Sequence, residues 1–145
     1  MVSFAVILPL VLMPVAAYAV EATYIATRQA ALAEVAAQVA EDSAQQVDES
    51  TFRSGGPLQV DPGEARAMAF TSLARRDPAA TLRSFTVSGR SVSLRLEETV
   101  PLRFAAWVPG GQVTIAAPAS ARLAAGYWSP SSLMPLPFRS FSMTG

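Results

Sequence analysis

Acidic residues are the natural place to look for chemistry, because two carboxylates held face to face can divide general-acid and general-base work. Three adjacent pairs occur, Glu41-Asp42, Asp48-Glu49 and Glu97-Glu98. Adjacent side chains stand roughly 100° apart around a helix and on opposite faces of a strand, so each pair diverges. Surface solvation is the expected role of all three. Ser3, Ser43 and the other serines lack a histidine to activate them, since the chain contains neither histidine nor cysteine. That composition removes the commonest general base, thiol nucleophiles, disulfides and the usual zinc ligand sets. A Gly-x-Ser-x-Gly elbow and a lysine-bearing phosphate loop are also absent from the sequence. No catalytic, cofactor-binding or metal-ligating residue is assigned, and the expectation is a protein that is not an enzyme.

The charge balance points the same way. Eleven basic residues, all arginines, offset eleven acids, leaving no net charge and no basic field for nucleic acid. The arginines at positions 66, 75, 76 and 83 read as a solvated face rather than a binding patch.

The apolar residues carry more information. Residues 2–20 include no charged side chain, and at 1.5 Å rise per residue they cover about 28 Å, close to the hydrocarbon thickness of a bilayer. Pro9 and Pro14 each remove a backbone donor, which a membrane helix tolerates at the expense of a kink. A secretory signal cut after Ala19 is the competing reading, with Ala17-Tyr18-Ala19 as a small-x-small site. However, the first basic side chain is Arg28, and the apolar run exceeds the usual signal core of about 7–15 residues. A retained anchor explains both the length and the helical sequence beyond Val20. Loop charges leave its orientation open, because only Arg28 stands among Glu21, Glu34, Glu41 and Asp42.

Beyond the anchor, Ile25, Leu32, Val35 and Val39 form a narrow apolar stripe at helical spacing among small alanines. Two readings stay open: the stripe packs on the chain's own domain, or on neighbouring subunits that the alanines let approach closely. Glu21, at the membrane edge, is either solvated at the interface or a partner-specific charge in an assembled bundle. Residues 48–60, with Ser54-Gly55-Gly56-Pro57, read as a loop. Asp61, Pro62 and Glu64 then spell a helix start, and Ala65, Met68, Ala69, Ser72 and Leu73 predict a helix ending near Arg76. Asp77-Pro78 stops it and starts one further turn through Leu82.

From Ser84 the period changes to two. Phe85 and Val87 precede the turn residues Gly89-Arg90, and Val92, Leu94 and Leu96 then alternate with polar residues in a strand continuing to Val100. After a connector with Phe104, Trp107 and Pro109-Gly110-Gly111, a third run places Val113, Ile115, Ala117, Ala119, Ala121 and Leu123 on one side. Pro118 lacks a donor, which predicts an edge strand, and the small residues at 117, 119 and 121 predict a closely seated helix. The tail carries Tyr127, Trp128, Phe138 and Phe141 among prolines and serines. It reads as either disordered or an aromatic strap that docks on a partner.

Taken together these elements describe an α+β protein: a long N-terminal transmembrane helix continuing into an exposed helix, then a small head with a helix and an antiparallel sheet of about three strands. The expected parts are a transmembrane anchor (1–25), an extended helix (26–47), the head (48–126) and a Pro/aromatic tail (127–145).

The opening Val2-Ser3-Phe4-Ala5-Val6-Ile7-Leu8-Pro9, with Val20-Glu21 and then Arg28-Gln29-Ala30-Ala31-Leu32-Ala33, resembles the TadE/TadG-like family, the pseudopilin-like proteins of tight-adherence (Flp) pilus assembly. Val100-Pro101 between two strands also resembles actinobacterial members, and Ser3 stands where family members commonly carry an acid. The resemblance implies a minor pilin-like or assembly component in the cytoplasmic membrane, single-pass, with its C-terminal domain outside the cytoplasm. Its partners would be membrane lipid, other pilus or secretion-system subunits and further copies of itself, with no nucleic acid and no cofactor. Phe4, Pro9, Glu21, Ile25, Leu32 and Val39 are the residues expected to carry assembly. The alternatives are an accessory single-span subunit of another membrane complex and a secreted binding protein with a cleaved signal peptide.

Overall fold

The computed structural model describes residues 2–104 and 110–124, with side chains from Ile7 onward. Helix α1, Val2–Ala44, runs through Pro9 and Pro14 as one continuous helix. At 1.5 Å per residue its 43 residues extend about 65 Å, so one element is long enough both to cross a bilayer and to serve a folded head. It is the one described helix long and apolar enough to cross a membrane.

The head is an α+β unit. Helix α2 is a single short turn, Glu49–Arg53, inside the segment expected to be loop. Helix α3, Pro62–Arg76, begins where the capping residues place it: the Asp61 carboxylate accepts from Gly63 N–H at 2.8 Å and Glu64 N–H at 2.9 Å. Strands β1 (Thr81–Ser88), β2 (Ser91–Pro101) and β3 (Gln112–Arg122) form one antiparallel meander in the order β1-β2-β3. The β1–β2 turn uses Gly89 at φ 58°, a backbone region closed to most side chains. Pro118 lies opposite Arg95 on β3, an edge strand, where a missing donor disturbs no ladder.

Two expectations about this region need correction. The chain forms a turn at Pro78 and enters β1 at Thr81, so no extra helical turn reaches Leu82. The strand begins before Ser84, where the alternation starts, because a bulge between Leu82 and Ser84 shifts the alternation by one, so Leu82 and Phe85 meet Leu96 and Leu94 on the same inner face.

Helix α1 continues past the apolar stretch as expected, but its second half is exposed along one side only, and its other side is the spine of the head. Leu32, Ala36, Val39 and Ala40 are fully buried against Leu94, Leu96, Val100, Ile115 and Ala117 of the sheet and Ala69 and Leu73 of α3. The stripe continues backward through Ile25 to Glu21 and forward through Ser43 and Ala44. Ala117 (1 % exposed) and its small neighbours let α1 sit close over β3, where Gln29 donates to the Ala116 carbonyl at 2.7 Å. Burial of Leu32 and Val39 stabilises the head by about 1.5–3 kcal/mol each. The intramolecular reading of the stripe therefore holds for Leu32 and Val39, and the folded chain leaves neither surface for a neighbouring subunit. A second cluster, Ala44, Val60, Ala65, Val92 and Leu123, closes the far end of the head.

Candidate membrane-edge site

From Ile7 to Val20 of α1, apolar side chains stand exposed in every direction. Leu8, Leu10, Met13, Tyr18 and Val20 are each more than half exposed, and charge enters only at Glu21. An all-round apolar helix belongs in an apolar medium, and nothing described of the chain's own fold covers this one.

At the end of that surface the helix meets the loop between β2 and β3. Glu21 is buried, and its carboxylate accepts from the backbone N–H of Arg103 at 2.5 Å and of Phe104 at 3.2 Å. Bonds of this charge-assisted kind are about twice as strong as neutral ones, and here they offset the loss of water around the carboxylate. The loop itself is closed by Leu102 N–H to the Gly111 carbonyl at 2.7 Å, with Gly110 at φ 99° beside it. The Arg103 guanidinium lies over the Tyr24 ring at 5.1 Å, and Phe104 lines an apolar groove with Met13, Pro14, Ala16, Ala17 and Val20.

Two helical turns further along, Arg28 reaches the inner face of the sheet. Its guanidinium hydrogen-bonds the Glu98 carboxylate and pairs with Asp77 Oδ2 at 3.4 Å. Glu98 is 7 % exposed, and its Oε2 has no hydrogen-bond partner among the described residues. The hydrogen bond that Arg28 donates to Glu98 is the main reason the Arg28 pKa is raised; burial opposes it, and the charges of Glu98 and Asp77 add lesser contributions in the raising direction. Asp77 also ends α3, its N–H bonding to the Leu73 carbonyl. One arginine on α1 thus ties down both β2 and the end of α3. A third polar clamp joins α1 to α3: Ser72 donates to Asp42 at 2.6 Å, and Arg76 reaches Asp42, Ser72 and Gln38.

No family model, curated protein or solved structure matches this chain. Its function must be read from the geometry. Together these contacts seat the head on α1.

Of the residues expected to carry assembly, Pro9 lies in the exposed apolar half, and the Phe4 side chain is outside the described residues. Glu21 is held by the chain's own loop, Ile25 packs at the rim of the core, and Leu32 and Val39 are inside it. Sequence reasoning missed Arg28, Asp77 and Glu98. The expectation that Glu97-Glu98 is solvated is wrong for Glu98, because it shares the phase of Val92, Leu94, Leu96 and Val100 and so points inward. That phase was the available signal. Trp107 and the aromatic tail lie outside the described residues.

Proposed function

We propose that this chain is a minor pilin-like or assembly component of a tight-adherence pilus or a related secretion system. It acts as a membrane-held peg: α1 sits in the cytoplasmic membrane, and the α+β head stands outside the cytoplasm. One observation carries the reading. The exposed apolar half of α1 and the buried half that forms the head's spine are a single helix, so the head is rigidly joined to its anchor. A tethered domain on a flexible linker would not transmit position; a continuous helix does.

Leu32 and Val39 serve the internal core, so contacts with other subunits fall to the first half of α1, the stretch that contains Phe4 and the exposed Pro9, and to the outer faces of the head. Membrane lipid surrounds the remainder of the rod. Extraction of membranes at alkaline pH, combined with the mass of the mature protein, tests the anchor. The expected result is a pelleted protein that retains the apolar helix; a soluble protein beginning at Val20 overturns it in favour of a secreted binder. Affinity purification from membranes tests the assembly role. Recovery with the pilus ATPase and platform proteins supports it, and recovery with a different membrane complex overturns it.

A further inference from the structure

We infer that the loop after β2, at Arg103 and Phe104, is a second membrane contact that enters the headgroup boundary of a phospholipid bilayer beside α1, held at that depth by Glu21. The inference rests on the membrane-anchored reading above and adds to it a site, a ligand class and a positioning residue.

Depth is the first argument. The uncharged stretch of α1 ends at Val20, and Phe104 shares a groove with residues reaching back to Met13. Those seven steps of helix span about 10 Å, which places Phe104 alongside the last two turns of the lipid-facing segment. Interfacial apolar side chains sit about 5–10 Å inside the headgroup–acyl boundary, the same range.

Continuity is the second. Phe104 is 53 % exposed where it lines an apolar groove with α1, and Met13 and Val20 in the same groove are at least as exposed. Phe104 therefore extends the apolar surface of the rod sideways. A phenyl ring left half open next to a membrane helix gains by facing acyl chains, whereas in water it adds to an already large apolar patch.

The polar groups supply the third. Backbone N–H groups near lipid require partners, because water is scarce there. Glu21 accepts from those of Arg103 and Phe104, so these two residues can enter the boundary with their donors satisfied, and the same bonds relieve a carboxylate that stands at the lipid edge. On the water side, Arg103 over Tyr24 sets a cation and an amphipathic ring at headgroup level, the arrangement that favours phosphate oxygens.

The absence of cysteine makes single-site labelling straightforward. The full-length chain is reconstituted in phosphatidylcholine–phosphatidylglycerol vesicles with a nitroxide at Leu10→Cys, Phe104→Cys or Thr86→Cys. Collision rates with oxygen and with a water-soluble nickel chelate are then read by power saturation. The expected outcome is a Leu10→Cys label at hydrocarbon depth, a Thr86→Cys label in water, and a Phe104→Cys label that has lost most of its nickel collisions. In the Glu21→Ala background the label at 104 regains the accessibility of Thr86→Cys while the Leu10→Cys label is unmoved. A label at 104 as accessible as Thr86→Cys, with Leu10→Cys in lipid, overturns this inference and leaves the anchor standing. A Leu10→Cys label in water overturns the anchor and this inference with it. A label at 104 that stays in the boundary without the Glu21 carboxylate overturns the role given to Glu21.

Discussion

Arg28 and Glu98 lie 70 positions apart in the chain, yet they meet between the spine helix and the inner face of the sheet. Asp77 joins them from the end of α3, so three elements share one charge cluster. It is the single point at which α1, β2 and α3 are all held by polar contacts, among the described residues.

The first prediction tests that cluster. Removing Arg28 leaves the Glu98 carboxylate buried without its cation. Breaking a fully buried pair destabilises by about 3–5 kcal/mol. Arg28 keeps a third of its side chain exposed, so Arg28→Met is expected to cost about 2–3 kcal/mol. The double variant Arg28→Met/Glu98→Leu should recover most of the loss, as measured by denaturant unfolding of the detergent-solubilised chain.

Leu32 separates a core role from an assembly role. Leu32→Ala opens a cavity beneath the sheet and should destabilise the head by about 2–5 kcal/mol. Ala33→Leu, on the exposed side of the same turn, should fall within about 0.5 kcal/mol of the parent. An unfolding midpoint that is unchanged in Leu32→Ala would return that residue to intersubunit packing.

Close approach of α1 to β3 depends on small side chains. Ala117→Leu forces a larger group against the helix and is expected to cost about 1–3 kcal/mol by overpacking. Ser120→Leu, on the exposed face of β3, is the matched control, and the two thermal midpoints make the comparison.

Asp48 gives a pH signature. Its carboxylate accepts from Ser50 Oγ at 2.6 Å, Thr51 N–H at 3.0 Å and Thr51 Oγ1 at 2.5 Å, capping α2. These bonds, led by the Ser50 hydroxyl, lower its pKa from 3.8 to about 2. The folded value lies below the unfolded one, so the cap's contribution is complete above pH 3.8 and is lost as pH falls toward 2. Carboxyl-carbon NMR of the detergent-solubilised chain should show Asp48 titrating well below ordinary aspartates. Ser50→Ala/Thr51→Val should bring it back toward them.

Much of this molecule follows from short-range pattern. The uncharged run of residues 2–20 specifies an apolar rod, because no folding of a small head could bury so long an all-round apolar surface. Asp61, Pro62 and Glu64 determine the start of α3, since capping depends on atoms only two and three residues away. Alternation from Val92 to Val100 and from Val113 to Leu123 determines two strands and their inner faces, and Pro118 assigns one of them to an edge.

Tertiary structure decided what covers what. An amphipathic stripe is equally satisfied by its own sheet or by a neighbour, so Leu32 and Val39 became core residues only when β2 and β3 were brought beneath them. The bulge at Leu82–Ser84 hid the true start of β1, because it changes the phase that alternation relies on. Glu98 lay in phase with apolar residues, but its acceptability inside required an arginine far away in sequence, and no local pattern specifies that partner. The same holds for Glu21, whose burial at the end of the apolar half of α1 depends on two backbone amides of a distant loop.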